Sequence, residues 1–430
     1  MNLTREIQFS HIPSHPMTKL RLWIIYFAAI SVSMGTAVSA IGRLALYLLA
    51  LWVIVANLIS KAPRNYWPIR PWAERWELIT LITVAFMATS IWWSEADSIK
   101  SVLSWTRHAR LLTIPVIWIL VRGRVEARSV LRVFVIAQLF VVVSAWILIW
   151  GLPVPWATAF NAKTTFAVFG SYLEQSITSV IIAFILWHQR EWIFGGNGRL
   201  LAILMALATV IQVLGFLEGR SGYLVFVALA SLAIFYELPK RWRWTAVVIP
   251  FLTVAVIFIG FKTARDRMVL VKNEVAAYGQ HADINSSSGE RLIYWQTSLQ
   301  SIADHPVFGV GSGGWNHEFR RLTGGRFDPN FYNVDNPHQM FLLWAVEGGL
   351  VGLALLVSLL LSIYMRSRSL AISDRRSLQS ALAALAVAGM TTSTIYGIGF
   401  GDYCCMLIGI LLCTGHNAGS ATTQRALFRA

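Results

Sequence analysis

A histidine beside a long apolar stretch is the residue best placed to move a proton. His338 follows Asp335, Asn336 and Pro337, and the apolar stretch begins at Met340. An imidazole with an unperturbed pKa near 6.5 can accept a proton from a hydroxyl group at neutral pH. A histidine at a helix start can also serve only to hydrogen-bond the first turn. His338 is therefore a candidate general base, with a purely structural role as the alternative.

Several arginines between or after apolar runs could hold an anionic substrate. Glu218 and Arg220 lie in the string FLEGRSGYL, where a charge without a partner would be costly. Either these two residues pair with each other, or Arg220 faces an anion, because the guanidinium fork fits phosphate oxygens in pairs. Further arginines occur in the polar segment that follows: Arg265, Arg267, Arg291, Arg320, Arg321 and Arg326. We expect two or three of this set at most to contact a substrate.

The same polar segment contains a predicted helix and a glycine cluster. The string GERLIYWQTSLQSIADHP predicts a helix that ends at Pro306. Gly311 and Gly313 belong to the next string, FGVGSGGW, and glycines permit tight turns and a close approach to a ligand. Their spacing is not that of a nucleotide-binding fingerprint, so turn formation is favoured over phosphate binding. The apolar positions that support the helix are Leu292, Trp295, Leu299 and Ile302.

The composition indicates the class of protein that carries these residues. Hydrophobic residues make up 56% of the 430 residues and charged residues 13%, which is too apolar for one soluble core. The formal charge of +15 comes mostly from Lys and Arg in short gaps between apolar runs, so no nucleic-acid partner is expected. Cys404, Cys405 and Cys413 fall in the last apolar run and are predicted to be core residues. No metal motif is evident, and no cofactor is expected.

Apolar runs of spanning length recur along the whole chain. Only a helix satisfies its own backbone in hydrocarbon, so each run of about 17 to 25 apolar residues predicts one membrane helix. The fourth run is the least regular, because Arg107, His108 and Arg110 interrupt its beginning. The fold class is therefore all-α, a polytopic membrane protein with about twelve spans and one large loop. The predicted spans are 22–39, 43–60, 77–94, 104–121, 130–150, 171–188, 199–216, 222–238, 243–261, 340–365, 378–398 and 401–417.

The basic residues predict the orientation of these helices. They concentrate in alternate gaps, which the positive-inside rule places in the cytoplasm together with both termini. The chain then divides into membrane helices over 1–261, a periplasmic loop over 262–339 that contains helices, and 340–430 with three helices and a short cytoplasmic tail. Whether 151–170 folds back into the membrane is left open by the sequence. If it does, Glu174 at the start of the next helix could line the site.

Three stretches in order resemble one family. His338 and Gln339 are followed by nine residues, then Gly349, two residues and Gly352. The strings ERLIYWQTSLQSIADHPVFGVGSGGW and GRSGYL look like a loop segment and an outer-end arginine of the same family. Over residues 220–352 the chain thus resembles the O-antigen ligase family, which shares its signature with O-antigen polymerases and bacterial O-oligosaccharyltransferases.

The resemblance implies a GT-C-like glycosyltransferase of lipopolysaccharide biosynthesis in the bacterial inner membrane, with its active site facing the periplasm. Its donor would be O-antigen glycan on undecaprenyl pyrophosphate, its acceptor a sugar hydroxyl of lipid A-core, and its surroundings membrane lipids. His338 would act as base, and Arg220, Arg265 and Arg291 would hold the leaving pyrophosphate in a metal-independent, inverting transfer. The further candidate substrate contacts are Glu218, Gln339, Asn336, Gly311, Gly313 and Glu174.

Other functions compete with this interpretation. A polymerase would need the same donor and the same arginines, so these residues do not separate it from a ligase. A protein O-oligosaccharyltransferase usually carries more chain after its last helix. A lipid or glycan transporter would place ionisable residues near mid-bilayer, whereas the predicted spans are nearly free of charge at their centres. The sequence therefore favours a transferase over a transporter.

Overall fold

The structure is a computed structural model, and helices are its only regular secondary structure in the residues it describes. These residues are 16–59, 74–217, 219–260, 269, 287–324, 327 and 332–415. No strand occurs among them, so the predicted all-α class is confirmed. Four residues singled out by the sequence lie outside these ranges: Glu218, Arg265, Arg267 and Arg326.

The helices follow the apolar runs closely. A helix lies in each of the predicted spans, although the first ends at Ser31 instead of residue 39 and the fourth is divided into pieces. The first eight helices are α1 Pro16–Ser31, α2 Thr36–Ile59, α3 Arg75–Thr89, α4 Ser98–His108, α5 Thr113–Leu120, α6 Gly123–Ile149, α7 Ala162–Thr165 and α8 Tyr172–Gln189. The others are α9 Arg199–Gly215, α10 Arg220–Glu237, α11 Thr245–Gly260, α12 Ser287–Asp304, α13 Trp315–Thr323, α14 Met340–Ser367, α15 Ile372–Gly389 and α16 Ile398–Cys413.

Five of the described helices are long and apolar enough to cross a membrane. They are Thr36–Ala56, Arg75–Trp93, Gly123–Ile149, Arg220–Glu237 and Met340–Ser367. The helices α9 and α16 are apolar but shorter. The chain is therefore a multi-pass membrane protein, and the higher number of spans stays a prediction.

The helix α16 forms the centre of the bundle. Every residue from Phe400 to Cys413 is buried, as expected for a helix that is apolar on all sides. It packs against α5, α6 and α15, among others. Cys404, Cys405 and Cys413 are buried and carry no disulfide bond, which confirms their prediction as core residues.

The fourth predicted span is interrupted at its basic residues. The helix α4 ends at His108, a 3-10 turn covers Ala109–Leu112, and α5 continues to Leu120. Each of Arg107, His108 and Arg110 finds a polar partner in a distant segment, described below. The charges that made this span irregular therefore connect the bundle to other parts of the chain.

The boundary between the last two helices differs from the prediction. The eleventh span was expected to continue to residue 398, but α15 ends at Gly389 and α16 begins at Ile398. The hydroxyl groups of the intervening string TTST compete for backbone hydrogen bonds, and the Thr391 hydroxyl donates to the carbonyl of Ala388 at 3.3 Å. The segment 390–397 is thus a polar, non-helical connection between two apolar helices.

The loop helix α12 forms as predicted but buries a different face. Leu299 was expected on the packed face, yet it is 61% exposed. The buried face runs instead through Tyr294, Ser298 and Ser301, and the indole of Trp315 in α13 donates to the Ser298 hydroxyl at 2.9 Å. Small polar residues allow the bulky aromatic rings of α13 to pack closely, which the apolar spacing did not reveal.

The segment 151–170 folds back along α6. The Trp156 indole donates to the Ser144 hydroxyl at 3.0 Å, more than a turn before the end of α6. Val154 and Val168 are buried against Val141 of that helix. The segment therefore covers the end of α6 next to the start of α8.

Candidate functional site

The helix α14 is broken at Gly349, and the loop before α13 is bound into the break. Gly349 has φ +63° and ψ −164°, far from helical values. Four backbone hydrogen bonds join residues 306–311 to the two sides of the break and replace bonds that an intact helix would make. Donor first, they are Val310 to Val346 at 2.9 Å, Gly311 to Glu347 at 2.9 Å, Leu350 to Pro306 at 2.8 Å and Val351 to Val307 at 3.2 Å. We call this arrangement the 306–311 clip.

The clip explains why the motif that begins at His338 has a glycine at position 349. A Cβ atom on Gly349 would lie 2.2 Å from the carbonyl oxygen of Val307, and its φ is left-handed. Gly352 is different, because its nearest neighbour, the Trp344 carbonyl oxygen, would be 3.2 Å away. Gly349 is therefore required by the clip, while Gly352 is only close-packed.

Gly311 and Gly313 serve the same clip. Both have positive φ, and a Cβ on Gly311 would lie 2.5 Å from Ser94. The Gly311 amide donates to the Glu347 carbonyl, and the Gly313 amide donates to the Glu347 carboxylate at 2.9 Å. Their amide hydrogens are thus engaged within the protein, and their observed role is to hold the loop on α14.

Glu347 is a residue that sequence reasoning missed. Its carboxylate is fully buried and lies 2.7 Å from Nε2 of the equally buried His108. The Ser104 hydroxyl also donates to it, at 3.1 Å. A charged residue inside an apolar run is costly unless it is paired, and this signal could have drawn attention to Glu347. The pair ties α4 to α14 and to the clip.

His338 lies in a tight turn shaped by its neighbours. Its φ is +52°, unusual for a residue with a side chain, and its amide donates to the Asn336 side-chain oxygen at 3.0 Å. Gln339 caps α14, since its side-chain oxygen accepts from the amide of Leu342. Asn336 and Gln339 therefore position the histidine.

Two further contacts fix this turn against the rest of the protein. The Trp295 indole donates to the Pro337 carbonyl at 3.1 Å. Arg107 forms an ion pair with Asp335 at 3.1 Å, and so connects the turn to α4. The His338 backbone is thus held from the loop helix on one side and from the membrane bundle on the other.

The surroundings of His338 keep its ring neutral. The ring lies 6.1 Å from that of Tyr294, measured between centroids. Burial, and after it the positive charge of Arg291, lowers the pKa of His338 to about 4. At neutral pH the imidazole is therefore uncharged and able to accept a proton.

A small cavity of about 30 Å³ lies where four segments meet, and Arg291 relates it to His338. Arg291 of α12, Glu174 of α8 and Ser221 of α10 line it, together with Thr392, Ser393 and Thr394 of the connection 390–397. The structure thus brings together Arg291 and Glu174, two of the predicted site residues. Arg220 is half-buried and precedes Ser221 as the first residue of α10.

Close packing of small residues brings α10 to this cavity. A Cβ atom on Gly219 or on Gly222 would clash with the Ser176 side chain of α8. The Ser221 hydroxyl forms a hydrogen bond of 2.8 Å with that of Thr391. The hydroxyl groups of this cavity were not singled out by the sequence, although the string TTST between apolar runs was a visible signal.

Buried charges hold the far wall of the cavity. Arg110 donates to the carbonyls of Tyr396 at 2.8 Å and Gly397 at 2.9 Å. Its Nε lies 3.4 Å from Asp402, which also accepts from the Ser39 hydroxyl at 2.9 Å. This network fixes the start of α16. The Glu174 carboxylate lies beside it, since a Cβ atom on Gly399 would be only 2.7 Å from a Glu174 carboxylate oxygen.

Among the described residues, one group of side chains from α13 and from the connection between α3 and α4 has the composition of a metal site. Glu95, His317 and Glu318 each offer a ligand atom, all within 4.8 Å of one another. His317 Nδ1 already lies 3.0 Å from Glu95, and Arg321 donates two hydrogen bonds to Glu318. Each of the three side chains is thus already engaged in an ion pair.

Comparison with known proteins identifies one family. Residues 205–357 match the O-antigen ligase family, and the match includes Arg220, Arg291 and the motif from His338 to Gly352. A relative from Haemophilus influenzae, described as an uncharacterized protein, is 30% identical over 93 residues, which are 21% of this chain. The matched segment spans 23% of that relative's length. The resemblance inferred from the motifs is confirmed by the family match.

Proposed function

We propose that this chain, whose residues 205–357 match the O-antigen ligase family, transfers O-antigen glycan from undecaprenyl pyrophosphate to a sugar hydroxyl of lipid A-core. The transfer would take place at the periplasmic face of the bacterial inner membrane, with both termini of the chain in the cytoplasm. The family match supports a lipid-linked glycan as substrate. The choice of lipid A-core as acceptor rests on the resemblance of the motifs.

The observation that carries the proposal is that Arg291, which lines the cavity, acts electrostatically on His338. Arg291 lines the cavity and is close enough to lower the pKa of His338. In the proposed reaction Arg291 would stabilise the leaving pyrophosphate, and the neutral imidazole of His338 would accept the hydroxyl proton. The cavity lies between the loop helix α12 and the bundle helices α8 and α10, where two lipid-borne substrates could meet.

The proposed reaction is a single displacement. The acceptor oxygen forms a bond to the anomeric carbon of the donor while the bond from that carbon to the pyrophosphate oxygen breaks. His338 takes the acceptor proton, and the electron pair leaves with the pyrophosphate, whose charge Arg291 and Arg220 stabilise. One displacement inverts the anomeric configuration. Arg265 and Glu218 keep the roles predicted for them, as a further phosphate contact and a substrate contact.

The test is a transfer assay in liposomes with the purified full-length chain. Undecaprenyl pyrophosphate carrying one labelled repeat unit would be supplied with lipid A-core, and products would be separated by size and identified by mass spectrometry. Label on lipid A-core supports a ligase. Label only on a longer lipid-linked glycan would make the protein a polymerase, and label on a peptide an O-oligosaccharyltransferase. Movement of the intact donor across the bilayer without transfer would overturn the proposal in favour of transport.

A further inference from the structure

An apolar groove lies on the outside of the helix bundle between α1 and α6. Its volume is about 430 Å³, and its lining includes Ile30, Val133, Ala137 and Phe140. Phe140 is 43% exposed, so the groove opens on the surface that faces lipid in a membrane protein. The size is that of a ligand pocket rather than a packing defect.

The groove is linked to the candidate functional site by shared lining residues. A second, more polar cavity shares Met34, Val141 and Phe169 with the groove and reaches Glu174 and Phe400. The polar cavity that Arg291 lines also includes Glu174 and Phe400. The three spaces therefore follow one another from the lipid-facing surface to Arg291.

Phe169 stands where the apolar groove meets the polar space. It belongs to the segment 151–170, which folds back over the end of α6. Gln175 fixes this segment, because its side chain accepts from the Val168 amide at 2.8 Å and donates to the Phe166 carbonyl at 3.1 Å. The segment thus forms a fixed wall at this junction.

We propose that the groove between α1 and α6 binds the isoprenyl chain of the polyprenyl pyrophosphate donor, with Phe169 at the junction of chain and head group. This inference rests on the proposed function. A groove between two helices accommodates one linear chain, whereas a lipid with several acyl chains needs a broader face. The apolar end favours hydrocarbon and the other end leads to the cation Arg291, which is the polarity of a long chain bearing a pyrophosphate.

Photo-crosslinking tests the proposal without requiring catalysis. Polyprenyl pyrophosphate with a diazirine in its chain would be added to the full-length protein in liposomes, and the labelled peptides would be mapped by mass spectrometry. We expect labelling on α1 and α6. Unlabelled polyprenyl pyrophosphate should reduce this labelling by competition, whereas excess phospholipid or lipid A should not. Labelling spread over other lipid-facing helices, or equal competition by phospholipid, would overturn the proposal.

Two matched variants on one helix give a second readout. Val133 lines the groove, whereas Val143 is exposed on α6 and is not among the groove residues. We expect Val133→Trp to raise the KM for the undecaprenyl donor about tenfold, the effect of about two CH₂ groups of lost burial, and to affect a farnesyl donor much less. Val143→Trp should leave both KM values unchanged. Equal effects of the two variants would contradict the groove assignment. If the unaltered protein transfers no glycan but still shows crosslinks that unlabelled donor competes away, the result counts against the proposed function alone.

Discussion

The 306–311 clip provides the sharpest test of how the site is built, through the substitution Gly349→Ala. The added methyl group would lie 2.2 Å from the Val307 carbonyl oxygen and 2.6 Å from the Phe308 amide nitrogen. Both neighbours are backbone atoms, so no side-chain rotation can relieve the clash. Residues 307 and 308 must move away from α14, and the hydrogen bonds of the clip open with them.

The size of the effect follows from those contacts. Four hydrogen bonds join the clip to α14, and each contributes about 1 kcal/mol. The left-handed backbone at Gly349 adds about 1 to 2 kcal/mol of strain once a side chain is present. The substitution therefore destabilises the clip by about 5 kcal/mol, which is enough to open this segment locally while the rest of the fold stays intact. A displacement of about 1 Å of the His338 turn would then lower the transfer rate about a hundredfold.

Hydrogen exchange and glycan transfer would be measured together, with Gly352→Ala as the control. A methyl group on Gly352 would lie 3.2 Å from its nearest neighbour, so this variant should stay within a few-fold of the unaltered protein. Gly349→Ala should show faster exchange at the amides of 310, 311, 350 and 351, together with the loss of transfer. Unchanged exchange and transfer in Gly349→Ala would refute the clip as the device that positions the site.

The remaining predictions concern charge and metal. Because the pKa of His338 is lowered to about 4, kcat/KM should fall as the pH drops through about 4 and not near 6.5; an acid limb at 6.5 would contradict the burial of the ring. Between these two pH values the unfolded chain binds a proton that the folded chain does not, so stability should decrease as the pH is lowered across the window, as monitored by thermal unfolding. Arg291→Gln should lower kcat about a hundredfold. It should also move the acid limb of the kcat/KM profile to higher pH, because a positive charge beside His338 is removed. The control Arg320→Gln, on α13, should change neither kcat nor the acid limb. Transfer should persist in EDTA, and loss of activity that magnesium restores would show that the site at Glu95, or another, requires a metal.

The sequence predicted the elements of the fold because hydrocarbon imposes helices on apolar runs. It also predicted that His338 lies where a polar loop meets a membrane helix. It did not predict the break at Gly349, because the hydrogen bonds that compensate for it come from a segment about forty residues earlier in the chain. The motif glycine was visible as a pattern, and only the structure supplies its physical reason.

Local sequence patterns also could not predict the partners of the charged residues that interrupt the fourth span. Arg107, His108 and Arg110 looked like obstacles to a span, yet they bind Asp335, Glu347 and the connection 390–397. Each partner lies more than 200 residues away, so no spacing rule relates them. Conversely, the apolar spacing in α12 was misleading at Leu299, because the loop helix packs through serines beneath aromatic rings.

The most direct test of the central claim compares two histidines of the same loop in the liposome transfer assay. His338→Ala should abolish transfer of labelled glycan to lipid A-core while binding of the polyprenyl pyrophosphate donor is retained. His317→Ala, which removes an imidazole that is 50% exposed and paired with Glu95, should transfer at the rate of the unaltered protein. Near-normal transfer by His338→Ala, or an equal loss in both variants, would contradict the assignment of His338 as the base.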